Sequence, residues 1–158
     1  IDLPDCTVLQ ADEDFNTLIG EERFSWPTCK GKSGGSVDLR NVQSPESGTN
    51  VFFYGIDLTD GWCAMTDTAK KVGFGLVFPK DLFTSVWLFA SYGGWRGNYV
   101  AVLEPCTAYP FNLADAINKG TCAHIDGHSK LECETEAVLY DGITSVSGIE
   151  PGGMVTGK

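Results

Sequence analysis

Positive charge is scarce in this chain. Eleven Lys and Arg stand against 21 Asp and Glu, a formal net charge of −10. Such a field repels a phosphate backbone, which argues against nucleic acid as a partner. It argues equally against an anionic membrane surface. No apolar run approaches the roughly 20 residues that span a bilayer. No CxxC pair occurs among the six cysteines, Cys6, Cys29, Cys63, Cys106, Cys122 and Cys133, so neither a zinc ribbon nor a redox dithiol is expected. An even number permits three disulfides, but six cysteines in 158 residues fall far below the density of a disulfide-held miniprotein. Buried free thiols are the preferred reading, and a cytoplasmic location is favoured over secretion.

Other absences narrow the chemistry. The glycine-rich stretches GKSGG and YGGWRG match neither a P-loop nor a dinucleotide fingerprint. No GxSxG elbow is present. Only two histidines occur, His124 and His128, with Gly127 between them in a loop context and no third ligand evident; they read as solvated. Asp57, Asp60 and Asp67 lack the regular oxygen spacing of a calcium loop, and Asp60-Gly61 is a turn signature. No metal site and no cofactor is expected. Helical periodicity is nearly missing too. Only FNLADAINKG carries it, with Asn112 placed to cap and Gly120 to stop a helix of about two turns. Ile1 is not a methionine and no signal region follows it, so the chain reads as processed or as a piece of something longer.

What remains is a globular composition, 42% hydrophobic and 20% charged, in a length that suits one domain. Short apolar runs alternate with turn signals. CTVLQ, NVFFYGI, WCAMTD, KVGFGLVFP, SVWLFASY and NYVAVLEP read as strands, with TDGW and YGGWRGN as turns. In KLECETEAVLYDG, Leu131, Cys133, Thr135, Ala137 and Leu139 fall on one face. Glu132, Glu134 and Glu136 fall on the other, with Val138 breaking the polar row. The pattern predicts an all-β antiparallel sandwich over residues 1–145 and a flexible tail over 146–158.

Candidate chemistry gathers around one hairpin. If YVAVLE is a strand, Val100, Val102 and Glu104 point one way and Ala101 and Leu103 the other. A carboxylate on an apolar face needs a partner or a cleft, and a cleft makes it a general base. The plainer alternative is an ion pair at a strand end, with Arg96. Trp87, Phe89, Tyr92, Trp95, Arg96 and Tyr99 lie within thirteen residues. Aromatic faces stack on the C–H faces of sugar rings and Arg donates to hydroxyls, which makes Trp95, Arg96 and Tyr92 candidate sugar contacts. Trp87 and Phe89 are expected to pack inside.

The run GGWRGNYVAVLEPCTAYPFNLADAINKG, followed by HSKLECETEAVLYDG, resembles the later part of the aldose 1-epimerase (galactose mutarotase-like) family, over residues 51–142. The resemblance rests on a strand-end Glu followed by prolines and an A-x-N type stretch: Glu104, Pro105, Pro110 and LADAIN. It implies about half of a large mutarotase-type sandwich acting on a free monosaccharide. Glu104 would take the anomeric proton. The family's catalytic histidines lie in an earlier half, so the acid, and a partner chain or missing half completing the sandwich, would come from elsewhere. Two other readings stand beside it. One is a carbohydrate-binding sandwich without turnover; the other is a structural or assembly subunit that uses the aromatic cluster as an interface.

Overall fold

The computed structural model describes residues 1–157, and almost every element in it is a strand. The first third supplies short ones: β1 Thr7–Gln10, β2 Arg23–Ser25, β3 Thr28–Lys30 and β4 Ser36–Asp38. Longer strands follow: β5 Thr49–Ile56, β6 Trp62–Asp67, β7 Val72–Val77, β8 Ser85–Tyr92 and β9 Tyr99–Cys106. A helix, α1 Leu113–Lys119, precedes β10 Glu136–Asp141, β11 Val146–Ile149 and β12 Val155–Gly157. The helix is capped as its sequence predicts. The Asn112 side chain accepts from the Asp115 N–H, and Gly120 ends it in the left-handed conformation. No helix among the described residues is long and apolar enough to cross a membrane.

The strands form an antiparallel sandwich, as expected. One sheet runs β2-β1-β5-β8-β9 and the other β10-β7-β6, with β3–β4 and β11–β12 as separate hairpins. The main core lies between the two sheets. Val51 and Phe53 from β5 and Val86, Leu88 and Ala90 from β8 are buried there, with Ala101 and Leu103 of β9 packed at its margin. Cys63, Met65 and Leu76 meet them from the second sheet. Burial of a ring such as the fully enclosed Phe53 stabilises by about 2–3 kcal/mol.

The second sheet is covered on its other face as well. Trp62, Ala64, Val77 and Val138 pack there against Val146 and Ile149. Gly75 of β7 makes the approach possible, since a Cβ at that position would stand 2.3 Å from Ile149 Cδ1. The Asp2 carboxylate ties the hairpin down, accepting from the Val146 N–H at 2.8 Å and the Ser145 hydroxyl at 3.2 Å. The segment expected to be a flexible tail is therefore a packed β-hairpin through Gly157; Lys158 lies outside the described residues.

A second expectation changes in the same region. Only residues 136–141 of KLECETEAVLYDG form a strand, and its phase is the reverse of the one read from the sequence. Val138 is buried, whereas Leu139 is 82% exposed. The ladder stops at Glu136↔Val77 because backbone groups alternate sides: Phe78 faces β6, its N–H donating to the Gly61 carbonyl, so the next position turned toward β10 is Pro79, which has no N–H to give. The phase follows from the β11–β12 hairpin, which supplies an apolar surface on the Val138 side.

Candidate functional site

Pairing across the β8–β9 hairpin sets the site. Tyr92 opposes Tyr99 next to the turn, and Trp87 opposes Glu104 further along. β5 brings Tyr54 opposite Trp87 and Phe52 opposite Phe89. Because side chains alternate, Tyr54, Trp87 and Glu104 form one row on the outer face of the five-stranded sheet. Phe52, Phe89 and Val102 form the next. Glu104 is exposed on the edge strand, and Trp87 is its half-buried neighbour.

The outer face is a continuous aromatic surface. Phe52 meets Tyr54, Trp87 and Phe89 at ring-centre distances of 5.4, 6.1 and 5.8 Å. Tyr54 meets Trp87 at 5.1 Å. Loops add a second tier: Phe15 stacks on Phe89 at 5.0 Å, Phe111 lies against Phe52 at 6.1 Å, and Tyr109 lies against Tyr54 at 6.3 Å. The polar edges of these rings are pinned. The Trp87 indole N–H donates to the Ala108 carbonyl at 3.0 Å, and the Tyr54 hydroxyl accepts from the Phe111 N–H at 3.0 Å. Trp87 and Phe89 thus belong to this outer surface and are only half-buried. Their expected place in the core falls to Val86, Leu88 and Ala90.

The sequence-predicted contacts divide. Tyr92 points the other way: it is 2% exposed inside the core, where burial pushes its hydroxyl pKa up to about 12, so it shares no surface with Glu104. Trp95 does join the outer face, edge-on to Phe89 at 6.1 Å, and the Arg96 guanidinium lies over the Trp95 ring at 5.5 Å. The Trp95 N–H is held by the Ser91 hydroxyl, however, four residues along β8 from Trp87. At a rise of about 3.4 Å per residue that is roughly 14 Å from the Glu104 row. Arg96 forms no ion pair with Glu104 among the described residues.

The structure therefore assembles Glu104, Trp87 and Tyr54, with Tyr109 beside them, as one locus and leaves Trp95 and Arg96 at the far end of the same face. Trp87 was legible as the partner of Glu104 by counting outward from the glycine-rich turn. Tyr54 and Tyr109 carried no local signal. The Glu104 charge is felt nearby: burial first, and that carboxylate second, push the Cys106 thiol pKa up to about 11. The locus is an open face rather than a hollow. A cleft of about 910 Å³ does exist, but Met65, Phe74, Leu76 and Leu139 line it from below the sheet.

His124 and His128 sit in the exposed loop between α1 and β10, and His124 pairs with Asp126 at 3.2 Å. Neither bonds Glu104 among the described residues. No group of three or more His, Cys, Asp or Glu able to hold a metal is found among them. All six thiols are free. Comparison with family models, with curated proteins and with solved structures finds no match for this chain.

Proposed function

We propose that the outer aromatic face receives a sugar ring and that Glu104 acts there as the base of a mutarotase-like reaction, in a sandwich of galactose-mutarotase type. The observation that carries this reading is the cross-strand placement of Glu104 against Trp87, with Tyr54 next in the row. A pyranose has an apolar C–H face and a polar rim. The half-buried Trp87 offers a wall for the first, held in place by Tyr54, which at 3% exposure lies beneath its neighbours, and Glu104 offers an acceptor for a hydroxyl at its edge. Proton removal from the anomeric hydroxyl expels the ring oxygen and opens the ring. The aldehyde rotates, and closure returns the proton to give the other anomer. The carbonyl state is transient, so no cofactor enters the balance. The ring oxygen must be protonated as it leaves, and water can supply that proton at this open face.

A second reading is favoured by the openness of the locus. An exposed carboxylate on an edge strand, with no histidine bonded to it among the described residues, also suits a sugar-binding face without turnover. Polarimetry separates the two. Fresh α-D-glucose or α-D-galactose is expected to relax faster with the protein present. Glu104→Gln, at a surface position that leaves the core intact, is expected to remove about 100-fold or more of that gain, the usual scale for loss of a general base. Equal relaxation with wild type and variant, together with thermal protection by the sugar that Trp87→Ala abolishes, would establish the binding reading instead.

A further inference from the structure

The two sheets of the sandwich are offset. β9 ends the five-stranded sheet and lies against β6, while β7 and β10 carry the second sheet past it as the other wall of the cleft. Beneath β9 lies β6, whose Cys63 is 1% exposed. Further out, Phe74 and Val72 of β7 are each 45% exposed, and Leu139 of β10 is 82% exposed. Exposure therefore rises strand by strand away from β6, although all these side chains point to the side on which the first sheet should lie. The overhang is the floor of the 910 Å³ cleft, and Ala101 and Leu103 of β9 form its upper lip. Strands repeat at about 4.8 Å, so β7 and β10 lack the two strands that would stand above them.

We infer that this cleft is the seat of one or two β-strands donated by another polypeptide, pairing with the free edge of β9 and laying apolar side chains onto Phe74, Leu76 and Leu139. β9 is eight residues long, and among the described residues it pairs only with β8, so its outer edge presents N–H and C=O groups to a further strand. A second copy of this chain does not fit by pairing through its own β9. Pairing β9 with the β9 of another copy would put that copy's own β6 in the space the overhanging β7 already fills. The donated strand carries apolar residues at every second position to face the cleft. On its other side, opposite the exposed Glu104 and toward a chain of net charge −10, it carries a cationic residue. The inference does not depend on the sugar reading, because it uses only the offset of the sheets, the free edge and the charge.

The test uses the whole chain and a synthetic eight-residue peptide that alternates valine with threonine and places one lysine on the threonine side. Amide hydrogen exchange is followed residue by residue. The peptide is expected to slow exchange of the outward β9 amides by about tenfold or more while leaving β2, at the opposite edge, unchanged. A peptide of the same sequence, N-methylated at alternate residues on its pairing edge, is expected to lose that protection. So is the variant Phe74→Asp/Leu139→Asp, whose substituted side chains are exposed and leave the core unaltered. Protection by the N-methylated peptide equal to that by the parent, no protection of β9 at millimolar peptide, or β9 amides already protected in a dimer of the chain alone would each overturn the inference. Binding of dodecanoate in the cleft without β9 protection, and no effect of the peptide, would overturn it in favour of a small apolar ligand.

Discussion

Single side chains in this molecule are governed by which side of a strand they leave from. Neighbours Ser91 and Tyr92 are both buried, yet one hydroxyl accepts from the Trp95 N–H while the other is sealed in the core. Cys63 shows what burial does to an ionisable group. It is 1% exposed, and desolvation pushes its thiol pKa up to about 12. An unfolded thiol titrates near about 8.5. Between these values the unfolded chain gives up a proton that the folded chain keeps, so the unfolded state binds fewer protons and stability falls as pH rises. The contribution is complete below about pH 8.5 and is lost progressively toward pH 12, with a limiting slope of about 1.4 kcal/mol per pH unit for one thiol. Urea denaturation midpoints measured from pH 8 to pH 10.5 are expected to fall, and to fall less steeply in Cys63→Ala. Equal slopes for the two proteins would mean that the Cys63 thiol ionises as readily folded as unfolded. Tyr92, raised to about 12, steepens the decline in both proteins at the alkaline end.

Elements are where sequence and structure part company, and the division is instructive. β5, β8, β9 and α1 were legible because each carries its own start, stop and preference: strand-favouring runs, a glycine turn, an asparagine cap. The face assignment of β9 was legible too, since only one of its faces ends in a carboxylate. β8 was not, because it is apolar on both faces and so has no phase of its own. Only pairing with β5, thirty-odd residues away, decides that Trp87 and Phe89 look outward. The β10 phase and the β11–β12 hairpin failed for a related reason. What buries Val138 is a hairpin whose sequence, rich in glycine and polar residues, looks like a tail until it is placed beside Gly75 and Asp2. This gives a double-mutant prediction. Gly75→Val drives a side chain into Ile149 and is expected to cost about 1–3 kcal/mol by overpacking. Ile149→Ala alone is expected to cost about 2–5 kcal/mol through the cavity it leaves. Combined, they are expected to cost at least about 1 kcal/mol less than the sum, as the valine fills that cavity. Chemical denaturation of the four proteins measures the coupling; strict additivity would show that Ile149 does not cover Gly75.

At the scale of the whole molecule two surfaces stand out against a strongly acidic background: the aromatic outer face, and the apolar overhang of β7 and β10. Contiguous apolar surface of this kind drives association unless something opposes it. Here the opposing term is the net charge of −10, which repels one copy from another at neutral pH and low salt. That balance is adjustable. Salt shortens the repulsion to about 8 Å at physiological ionic strength, and acid removes it as the charge approaches zero at the sequence pI of about 4.4. Sedimentation velocity is therefore expected to find a monomer at pH 7.5 in low salt and progressive self-association toward pH 4.4. Phe74→Glu/Leu139→Glu breaks the exposed apolar strip without touching the core. If the overhang is the adhesive surface, the variant is expected to remain monomeric at least about half a pH unit closer to its own pI than wild type does. The comparison is made at equal net charge, so that the two added carboxylates do not supply the difference themselves. Association of wild type and variant at the same net charge would assign the adhesion to the aromatic face instead, and Phe111→Ser/Trp95→Ser, both at exposed rings, would then be the pair that abolishes it.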